Sequence, residues 1–391
     1  MNAISARKWR SDRRGSSPRT LALRLQEGFS APEWPDCDRP AFVRQWSDLA
    51  RAVMSPNPFN EPWFALPGLR AFDPEGDVRI ASLVKDGRLV GLLPVTASTR
   101  YHGRPLPHLA GWSHANSFCG EPLILPGFEQ EFWRGLLAWA DRESGFATFF
   151  HLNGIPADSP TLAALQAVCK DQGRAPAIVH REDRAVLNHG LSPEEHLAAA
   201  ASKKRRKDWS RRLRRLGEEG DLRFSRHDDA EGLETWIEEF LALERTGWKG
   251  AENSALACDP RTEALFRDSL TGAAQAGRLQ RLAYHLDGKP VVMLASFVAP
   301  PHAFSFKTAY DEELARFSPG VLLQLENLAM LEREDIALTD SCAAPDHPMI
   351  DHIWRDRREI VKVSIPIGGR IGRWVGTALT SFEARRLENR S

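Results

Sequence analysis

The amino-acid sequence predicts an α/β (α+β) fold of two similar modules, each a mixed twisted sheet flanked by helices. The chain has 391 residues, which is long for one domain and comfortable for two. Its apolar content of 42% is enough for two sizeable cores. Each half also shows helices, then a hairpin with an acidic-Gly turn, then a strand, a helix and a strand. This repeated order of elements supports two structurally similar modules, although the halves share no close sequence identity.

The first half alternates helical and strand periodicities. Its first helix is predicted from Pro40 to Met54, because Phe42, Trp46, Leu49 and Val53 recur on one helical face. The further predicted elements are a proline-rich break at 55–64, a hairpin of strands 78–84 and 89–96, a loop with a short strand within 111–127, a helix at 130–141, a strand at 147–155, a helix at 159–172 and a strand at 177–187 that completes the sheet.

The second half repeats this order. Its predicted elements are helices at 193–218, 230–246 and 260–276, a hairpin of strands 278–286 and 290–299, a strand at 302–310, a helix at 320–334, strands at 336–341 and 358–365, and a helix at 380–389. The predicted domains are a disordered basic tail at 1–28, an N-terminal module at 29–188, a C-terminal module at 189–376 and a terminal helix at 377–391. The N-terminal module is expected to be structural and to form one wall of the cleft that holds the accepting substrate.

Composition excludes several classes of protein. The five cysteines are scattered without a C-x-x-C pair, which argues against a disulfide framework or a structural zinc site. No stretch reaches the roughly 18 apolar residues of a membrane-spanning helix, and the Arg- and Ser-rich N-terminus lacks the apolar core of a secretory signal. The formal net charge is zero, so the whole chain gives no electrostatic case for a nucleic-acid partner. We expect a cytoplasmic protein, with a peripheral position on the inner face of the membrane as an alternative.

Several ordered motifs resemble a known family. In the second half these are KKRRKDWSRRLRRLGEEGDLRF, RTGWKG, FKTAYDEELARFSPGVLLQLENL and LTDSCAAPDHPMIDHIW; in the first half they are NPFNEPWF and SFCGEPLILPG. Together they resemble the BioF2-like acetyltransferase domain of the GNAT superfamily, near the CelD-type and Fem-type transferases. The resemblance covers about Phe29 to Val375.

The resemblance implies two GNAT-like modules in the Fem manner and an N-acyltransferase activity. In such folds an acyl thioester lies between two diverging central strands, its pantetheine pairs with a strand edge, and its pyrophosphate meets the next helix N-terminus. The expected co-substrate is acyl-CoA or an acyl-carrier-protein thioester, with no permanently bound cofactor and no metal. The expected acceptor is an amine.

The donor site is predicted at the start of the helix after the strand that ends at Tyr310. Unpaired N–H groups and the helix dipole make such a terminus a phosphate site. Ser318 is a candidate cap, Pro319 suits the first turn, and Gly320 would let a ligand approach the backbone. The predicted donor-binding residues are Ser318, Pro319, Gly320, Val321 and Leu322. The usual GNAT loop has two glycines and this one has a single glycine, so a carrier-protein donor or an ordinary helix start are alternatives.

Candidate acid–base residues follow the strand at 336–341. Acyl transfer to an amine needs a base, and His347, whose ordinary pKa is about 6.5, suits that role. Asp340 or Asp346 would orient it or bind the amine, and His352 is a further candidate. The alternative is that the aspartates cap loops and His347 is only an exposed side chain. No Ser-His-Asp or Cys-His arrangement is present, so we expect direct attack, with a backbone N–H stabilising the oxyanion.

Lys307 and Tyr310 lie on the strand at 302–310. Strict alternation predicts that Phe306 and Lys307 point to opposite faces. A lysine inside a central strand is costly unless it serves a phosphate or a carboxylate, and the alternative is a strand-edge residue. Many GNAT enzymes use a late tyrosine to protonate the leaving thiolate. No tyrosine follows Tyr310, so either Tyr310 takes that role or no acid is needed.

A basic run from Lys203 to Arg215 holds nine Lys or Arg and one Asp. Trp209, Leu213 and Leu216 fall on one face of it, which makes a basic amphipathic helix typical of interfacial membrane binding. The alternatives are a solvated helix packed on its own domain, a site for donor phosphates or a carrier protein, and an RNA-binding surface. The residues predicted for membrane or phosphate binding are Lys203, Lys204, Arg205, Arg206, Arg211, Arg212 and Arg215.

These features predict an N-acyltransferase and leave the acceptor open. A lipid amine such as a sphingoid base (a ceramide-forming reaction) and a sugar amine of exopolysaccharide or cell-envelope biosynthesis are the two acceptor classes. A Fem-type transferase using aminoacyl-tRNA is a second class of function, although no sustained heptads indicate the helical insertion usual in that type. A degenerate, non-catalytic GNAT scaffold is the third.

Overall fold

The secondary structure is mixed α/β in the computed structural model, which describes residues 26–388. The strands are β1 (Gly28–Ser30), β2 (Arg79–Lys85), β3 (Arg88–Ser98), β4 (His108–Gly111), β5 (Leu123–Ile124), β6 (Phe149–Pro156), β7 (Ala177–Asn188), β8 (Leu222–His227), β9 (Leu279–Leu286), β10 (Lys289–Ala299), β11 (His302–Tyr310), β12 (Leu338–Asp340) and β13 (Asp356–Pro366). The helices are α1 (Trp34–Cys37), α2 (Pro40–Ala52), α3 (Pro62–Phe72), α4 (Glu129–Glu143), α5 (Pro160–Asp171), α6 (Pro193–Ala200), α7 (Lys203–Glu218), α8 (Leu233–Thr246), α9 (Trp248–Ala251), α10 (Pro260–Gln275), α11 (Pro319–Asn327) and α12 (Arg370–Glu388).

The chain divides into two compact units. The first comprises residues 1–62, 72–181 and 360–391, and the second comprises 63–71 and 182–359. Three segments therefore belong to a unit other than the module predicted for them: residues 63–71 and 182–188 are part of the second unit, and 360–376 are part of the first, together with the separately predicted terminal segment 377–391. The predicted basic tail, 1–28, lies outside the described residues except for its last three.

The first unit holds a mixed sheet in the order β1-β2-β3-β4-β6-β13-β7, with β5 paired to β3. The strands β4 and β6 run parallel, with Leu109 opposite Phe150, while β1, β2 and β3 pair antiparallel. Its core forms where α4 and α5 cover the sheet, and Trp133 and Leu137 of α4 are completely buried there.

The second unit holds a mixed sheet in the order β7-β12-β11-β10-β9-β8. Only β11 and β12 run parallel among its described pairs, and α11 connects them. The hairpin, the strand, the helix and the parallel strand therefore occur in both units in the same order, as the sequence predicted. Both hairpins turn at Asp-Gly with positive φ at each residue, Asp86-Gly87 and Asp287-Gly288, the conformation favoured in tight antiparallel connections.

Two apolar layers cover the faces of the second sheet. On one face, aromatic rings of α3, α8 and α10 meet those of the strands: Phe64 lies 5.7 Å from Phe297, and Phe297 stacks 4.5 Å from Phe306. On the other face, Leu216 of α7 and Leu322 of α11 join one core cluster. The strands of this sheet thus lie between two packed helix layers.

Most predicted elements are confirmed, within one to three residues at their ends, but three predictions about helices are wrong. The helix predicted at 193–218 is two helices, because Ala201 is extended and the Ser202 side chain caps α7 by accepting from the Arg205 N–H. The helix predicted at 320–334 ends at Asn327 and continues as a 3₁₀ segment. The terminal helix begins at Arg370 and not at 380, because Gly376 lets it approach the Thr148 carbonyl, which a Cβ there would meet at 2.1 Å.

Six of the described elements were not predicted. They are the short strands β1, β4 and β8, the one-turn helices α1 and α9, and α3, which contains a proline. Such short elements, and a helix interrupted by proline, give little signal in local periodicity.

Candidate functional site

The strands β11 and β12 of the second unit separate shortly after they meet. They pair in parallel only from His302 to Phe304, opposite Leu338 to Asp340. Beyond Phe304, β11 continues to Tyr310 while β12 has ended. The backbone of β11 from 305 to 310 is therefore left without a β12 partner along one edge. An extended ligand can add to such an edge as a further strand.

A β-bulge lies on β11 at the point of separation. Ala295 of β10 pairs with Lys307 and the next residue, Ser296, pairs with Ser305, so Phe306 is an extra residue in the ladder. The prediction that Phe306 and Lys307 point to opposite faces is wrong, because the bulge interrupts the alternation. The Lys307 ammonium instead lies 5.6 Å from the centroid of the Phe306 ring.

The helix α11 follows β11 in the chain after a 3₁₀ segment, Glu312–Phe317. Pro319 occupies its first turn, as predicted, and the Leu322 N–H is already bonded to the Ser318 carbonyl at 3.1 Å. The prediction that Ser318 caps the helix through its side chain is wrong. Ser318 has a left-handed backbone (φ 56°), and its hydroxyl accepts a hydrogen bond from the Arg212 guanidinium at 2.5 Å. The first-turn N–H groups of Gly320 and Val321 remain as the donors that the helix offers.

Gly320 faces the side chain of Met349. A Cβ at this position would lie 2.2 Å from the Met349 sulfur, so only glycine permits the present packing. The space beside Gly320 that the sequence assigned to a ligand is thus filled by a flexible thioether. Val321 is half-buried and Leu322 is buried in the core, so their side chains serve packing.

The basic helix α7 packs on its own unit through its apolar stripe. Trp209 and Leu216 are buried, and Leu213 packs against the same core as Leu216. The interpretation that this stripe inserts into a membrane is therefore wrong, and the alternative of a helix packed on its own domain is the one observed. Among the predicted basic residues, Lys203, Lys204, Arg205, Arg211 and Arg215 are exposed, whereas Arg206 and Arg212 are half-buried.

Arg212 joins α7 to the start of α11. Its guanidinium binds both the Asp208 carboxylate, at 2.8 Å, and the Ser318 hydroxyl. One turn before Trp209, Arg206 has a buried Nε with no hydrogen-bond partner among the described residues. The N-terminus of α11 thus has the Arg212 guanidinium of a second helix beside it, which reinforces its preference for an anion.

A buried ion pair lies beside Lys307. The Glu244 carboxylate accepts from the Lys249 ammonium at 2.7 Å and from the Leu256 N–H at 2.8 Å. Lys307 interacts electrostatically with both members of this pair. Burial and, secondarily, the Lys249 charge lower the pKa of Lys307 to about 8. Lys307 is thus a lysine that loses its proton unusually easily.

His347 lies in the loop after β12 and is half-buried. Its Nδ1 is buried and has no hydrogen-bond partner among residues 26–388. Burial lowers the pKa of His347, the Asp351 carboxylate opposes this shift, and the Lys249 cation adds to it. The imidazole is therefore neutral at neutral pH, which is the form that accepts a proton. The other candidates in this loop, Asp346 and His352, are exposed.

Asp340 is buried at the end of β12 and is occupied by other groups. One oxygen accepts from the Cys342 N–H at 2.7 Å, and the other lies 3.6 Å from the Arg184 guanidinium. These contacts fix the loop that carries His347. Tyr310 ends β11 and packs its ring against the core cluster that contains Leu322.

The structure brings several predicted residues into one region and adds two that the sequence reasoning missed. Lys307 and His347 both interact with Lys249, and Met349, two residues after His347, contacts Gly320. Glu244 and Lys249 were not identified as site residues. The signal for Lys249 was present in the RTGWKG motif, which the sequence analysis used only for the family resemblance.

Part of the second unit matches a known protein family. Residues 203–347 match the family model described as an acetyltransferase (GNAT) domain. This segment contains α7, β11, α11, β12 and His347, so it includes the open strand edge and the helix start. No curated protein matches the sequence.

Solved structures with the same fold extend over both units. FemX aligns with a TM-score of 0.53 at 11% identity, over 82% of this chain and 95% of that one. The C-terminal DUF2156 domain of a putative lysylphosphatidylglycerol synthetase from Agrobacterium fabrum aligns with a TM-score of 0.52 at 13% identity, over 86% and 95%. A conserved protein of unknown function from Bacteroides thetaiotaomicron VPI-5482 gives 0.54 at 11% identity, over 84% and 97%. At these identities the likeness concerns the fold. Residues 203–347 therefore resemble a GNAT acetyltransferase domain, as the sequence motifs predicted, and the α/β fold of the chain is shared with FemX.

Proposed function

We propose that this protein is an N-acyltransferase that moves an acyl group from a thioester donor, acyl-CoA or an acyl carrier protein, to an amine by direct attack. The observation that carries this proposal is the open edge of β11 that leads to the start of α11. A pantetheine arm can pair with that edge, and a phosphate group can then reach the helix terminus beside Arg212.

The donor end depends on the N–H groups of Gly320 and Val321 and on the guanidinium of Arg212. Two N–H donors and one cation form a small anion site. Binding of a phosphate there requires the Met349 side chain to move from Gly320, and a thioether with three rotatable bonds can do so at low cost.

In the proposed chemical step, the amine nitrogen attacks the thioester carbonyl carbon and forms a C–N bond. The oxyanion of the tetrahedral intermediate accepts a hydrogen bond from a backbone N–H of the β11 edge. The C–S bond then breaks, and the thiolate takes a proton from Tyr310 or from water. His347, neutral and with a free Nδ1, removes the proton from the nitrogen. Lys307 is the alternative base, and Asp340 positions the loop of His347.

The acceptor we favour is a lipid amine such as a sphingoid base, with a sugar amine of the cell envelope as the alternative. A second candidate function is aminoacyl transfer from aminoacyl-tRNA. The observation behind it is the fold shared with FemX. Acceptor and donor therefore both need to be tested.

The experiment is an assay of thiol release. Purified protein is incubated with acyl-CoA donors of increasing chain length and with sphingoid bases, hexosamines or no amine, and the N-acyl product is identified by mass spectrometry. Amine-dependent release of one thiol per product supports the proposal. No release and no product with any CoA or carrier-protein thioester, combined with transfer from aminoacyl-tRNA, would replace it with the second function.

Two variants test the donor site. Arg212→Gln should raise the KM for the donor about 10-fold with little change in kcat, because a charge-assisted hydrogen bond to phosphate is worth about 1.5–3 kcal/mol and this side chain is partly exposed. Arg214→Gln is the matched control, since Arg214 is an exposed residue of the same helix. Equal effects of the two variants would show that Arg212 acts only through the general charge of α7.

A further inference from the structure

The helix α12 of the first unit presents a large apolar face to solvent. Ile371, Trp374 and Phe382 are 81%, 74% and 56% exposed. With Ala378, also exposed, they recur at i, i+3, i+7 and i+11, so they form a single stripe along the helix. A contiguous exposed stripe of this kind marks an interaction surface.

The opposite face of α12 is firmly held by its own unit. Thr380 is buried, and Arg373 donates to the Asp141 carboxylate at 2.6 Å. Glu383 accepts from the Tyr101 hydroxyl at 3.0 Å. Since these contacts anchor the helix from beneath, the apolar stripe is a fixed surface feature and not the result of a detached helix.

Exposed arginines lie at both ends of the stripe. Arg385 and Arg386 continue the same helical face, Arg370 precedes it, and all three are exposed. The Arg386 guanidinium lies 4.6 Å from the Phe382 ring, so a cation and an aromatic side chain share one end of the stripe.

A further apolar side chain lies near the start of the helix. Phe146 is 78% exposed, in the turn between α4 and β6. Its neighbour Thr148 accepts from the Ile367 N–H at 3.0 Å, and Ser144 lies against Gly368. A further exposed apolar side chain thus lies on a turn whose flanking residues contact the segment that leads into α12.

We propose that α12 is the element by which this protein binds an anionic lipid surface, with Ile371, Trp374 and Phe382 entering the interface and the arginines contacting headgroup phosphates. Aromatic and aliphatic residues flanked by arginine are the pattern of interfacial helices. The contrast with α7 sharpens this assignment. α7 is more basic, but its apolar stripe is buried, whereas α12 combines exposed apolar residues with exposed cations. The proposal does not depend on acyl transfer.

The test is flotation of the full chain with phosphatidylcholine vesicles that contain or lack phosphatidylglycerol. The wild type should float with the anionic vesicles. Trp374→Ser with Phe382→Ser should abolish flotation, and Arg370→Gln, Arg385→Gln and Arg386→Gln together should weaken binding roughly a hundredfold, at about fivefold per arginine. The matched control is Lys204→Gln, Arg205→Gln and Arg215→Gln on α7, which removes the same charge and should leave most of the binding intact. Because all these side chains are exposed, unchanged thermal unfolding should accompany each variant.

Three results would overturn the proposal. The first is absence of flotation by the wild type, and the second is an equal loss of vesicle binding from the triple substitutions on α7 and on α12. The third is full flotation of the Trp374→Ser, Phe382→Ser variant. If the serine variant keeps flotation but converts a dimer to a monomer in light scattering, the stripe is an interface between two copies and not a lipid-binding surface.

Discussion

Replacing Lys307 by methionine should stabilise the protein at neutral pH while impairing its activity. Burial and the Lys249 charge lower the pKa of Lys307 from 10.5 to about 8. A shift of this size means that holding the charged form in the folded protein costs about 3 kcal/mol, at about 1.4 kcal/mol per pKa unit. Methionine keeps most of the apolar stem and removes the charge, so the variant should gain up to about 3 kcal/mol near pH 7.

The stability gained by Lys307→Met should decrease as the pH rises. Below about pH 8 Lys307 is protonated in both the folded and the unfolded chain, so the wild type carries the whole cost. Above that pH the folded protein releases the proton first, and the cost is relieved until the unfolded chain also titrates near 10.5. The advantage of Lys307→Met should therefore shrink by about 2 kcal/mol between about pH 7 and about pH 9.5.

Urea unfolding at these two pH values measures both effects, and thiol release measures activity. Lys289→Met is the matched control, because Lys289 is exposed at the start of β10 in the same unit. A constant difference between Lys307→Met and wild type at the two pH values would refute the reasoning. Loss of stability near pH 7 would show instead that the neighbouring Glu244 carboxylate more than compensates the buried charge.

Three further changes probe the same region. His347→Gln should lower kcat about 10²- to 10⁴-fold without loss of stability. The acid limb of the wild-type pH–rate profile, measured with an arylamine that stays uncharged, should lie below pH 6.5, because burial lowers the pKa of His347. An acid limb near pH 8 would indicate that Lys307 is the base instead. Gly320→Ala should change stability in thermal or urea unfolding by less than the about 1–3 kcal/mol typical of overpacking, because its Cβ meets only the flexible Met349 thioether, which can move; a loss above about 3 kcal/mol would show that Met349 is held in place. Glu244→Gln should cost about 3 kcal/mol, because it removes a buried carboxylate and leaves the half-buried Lys249 ammonium unpaired. Glu238→Gln, in an exposed ion pair, should cost less than about 1 kcal/mol, and equal costs in urea unfolding would contradict the difference in burial.

The fold was largely predictable because its signals are local. The hairpins carry Asp-Gly turns between apolar runs, and α2 shows an unbroken helical stripe whose four predicted residues are all buried. The errors occur where local signals are overridden. Ser202 reads as an ordinary polar residue within a long helical pattern, yet it starts a new helix. Gly376 lies before the predicted start of the terminal helix, yet it lets that helix approach Thr148.

The donor end of the site was predictable for the same reason, since S-P-G after a strand is a local helix start. The placement of Arg212 beside it was not, because that contact joins residues 106 positions apart in the sequence. Periodicity identified which face of α7 is apolar, but it does not say whether such a face meets lipid or its own core. That question is decided by what the rest of the chain packs against Trp209 and Leu216.

The surroundings of Lys307 are harder to predict from the sequence than the donor end of the site. Alternation along β11 assigns Lys307 and Phe306 to opposite faces, and a single bulge reverses that assignment. The bulge also lies next to the point where β12 ends its pairing, and Lys307 lies within reach of the charges of Glu244 and Lys249. Removing the charge at Lys307 should leave the bulge and the unpaired edge of β11 in place. Donor binding should therefore survive in Lys307→Met while turnover falls. Loss of donor binding in that variant, measured by calorimetry with a non-reactive thioether analogue of acyl-CoA, would mean that the lysine holds the donor and is not part of the acid–base chemistry.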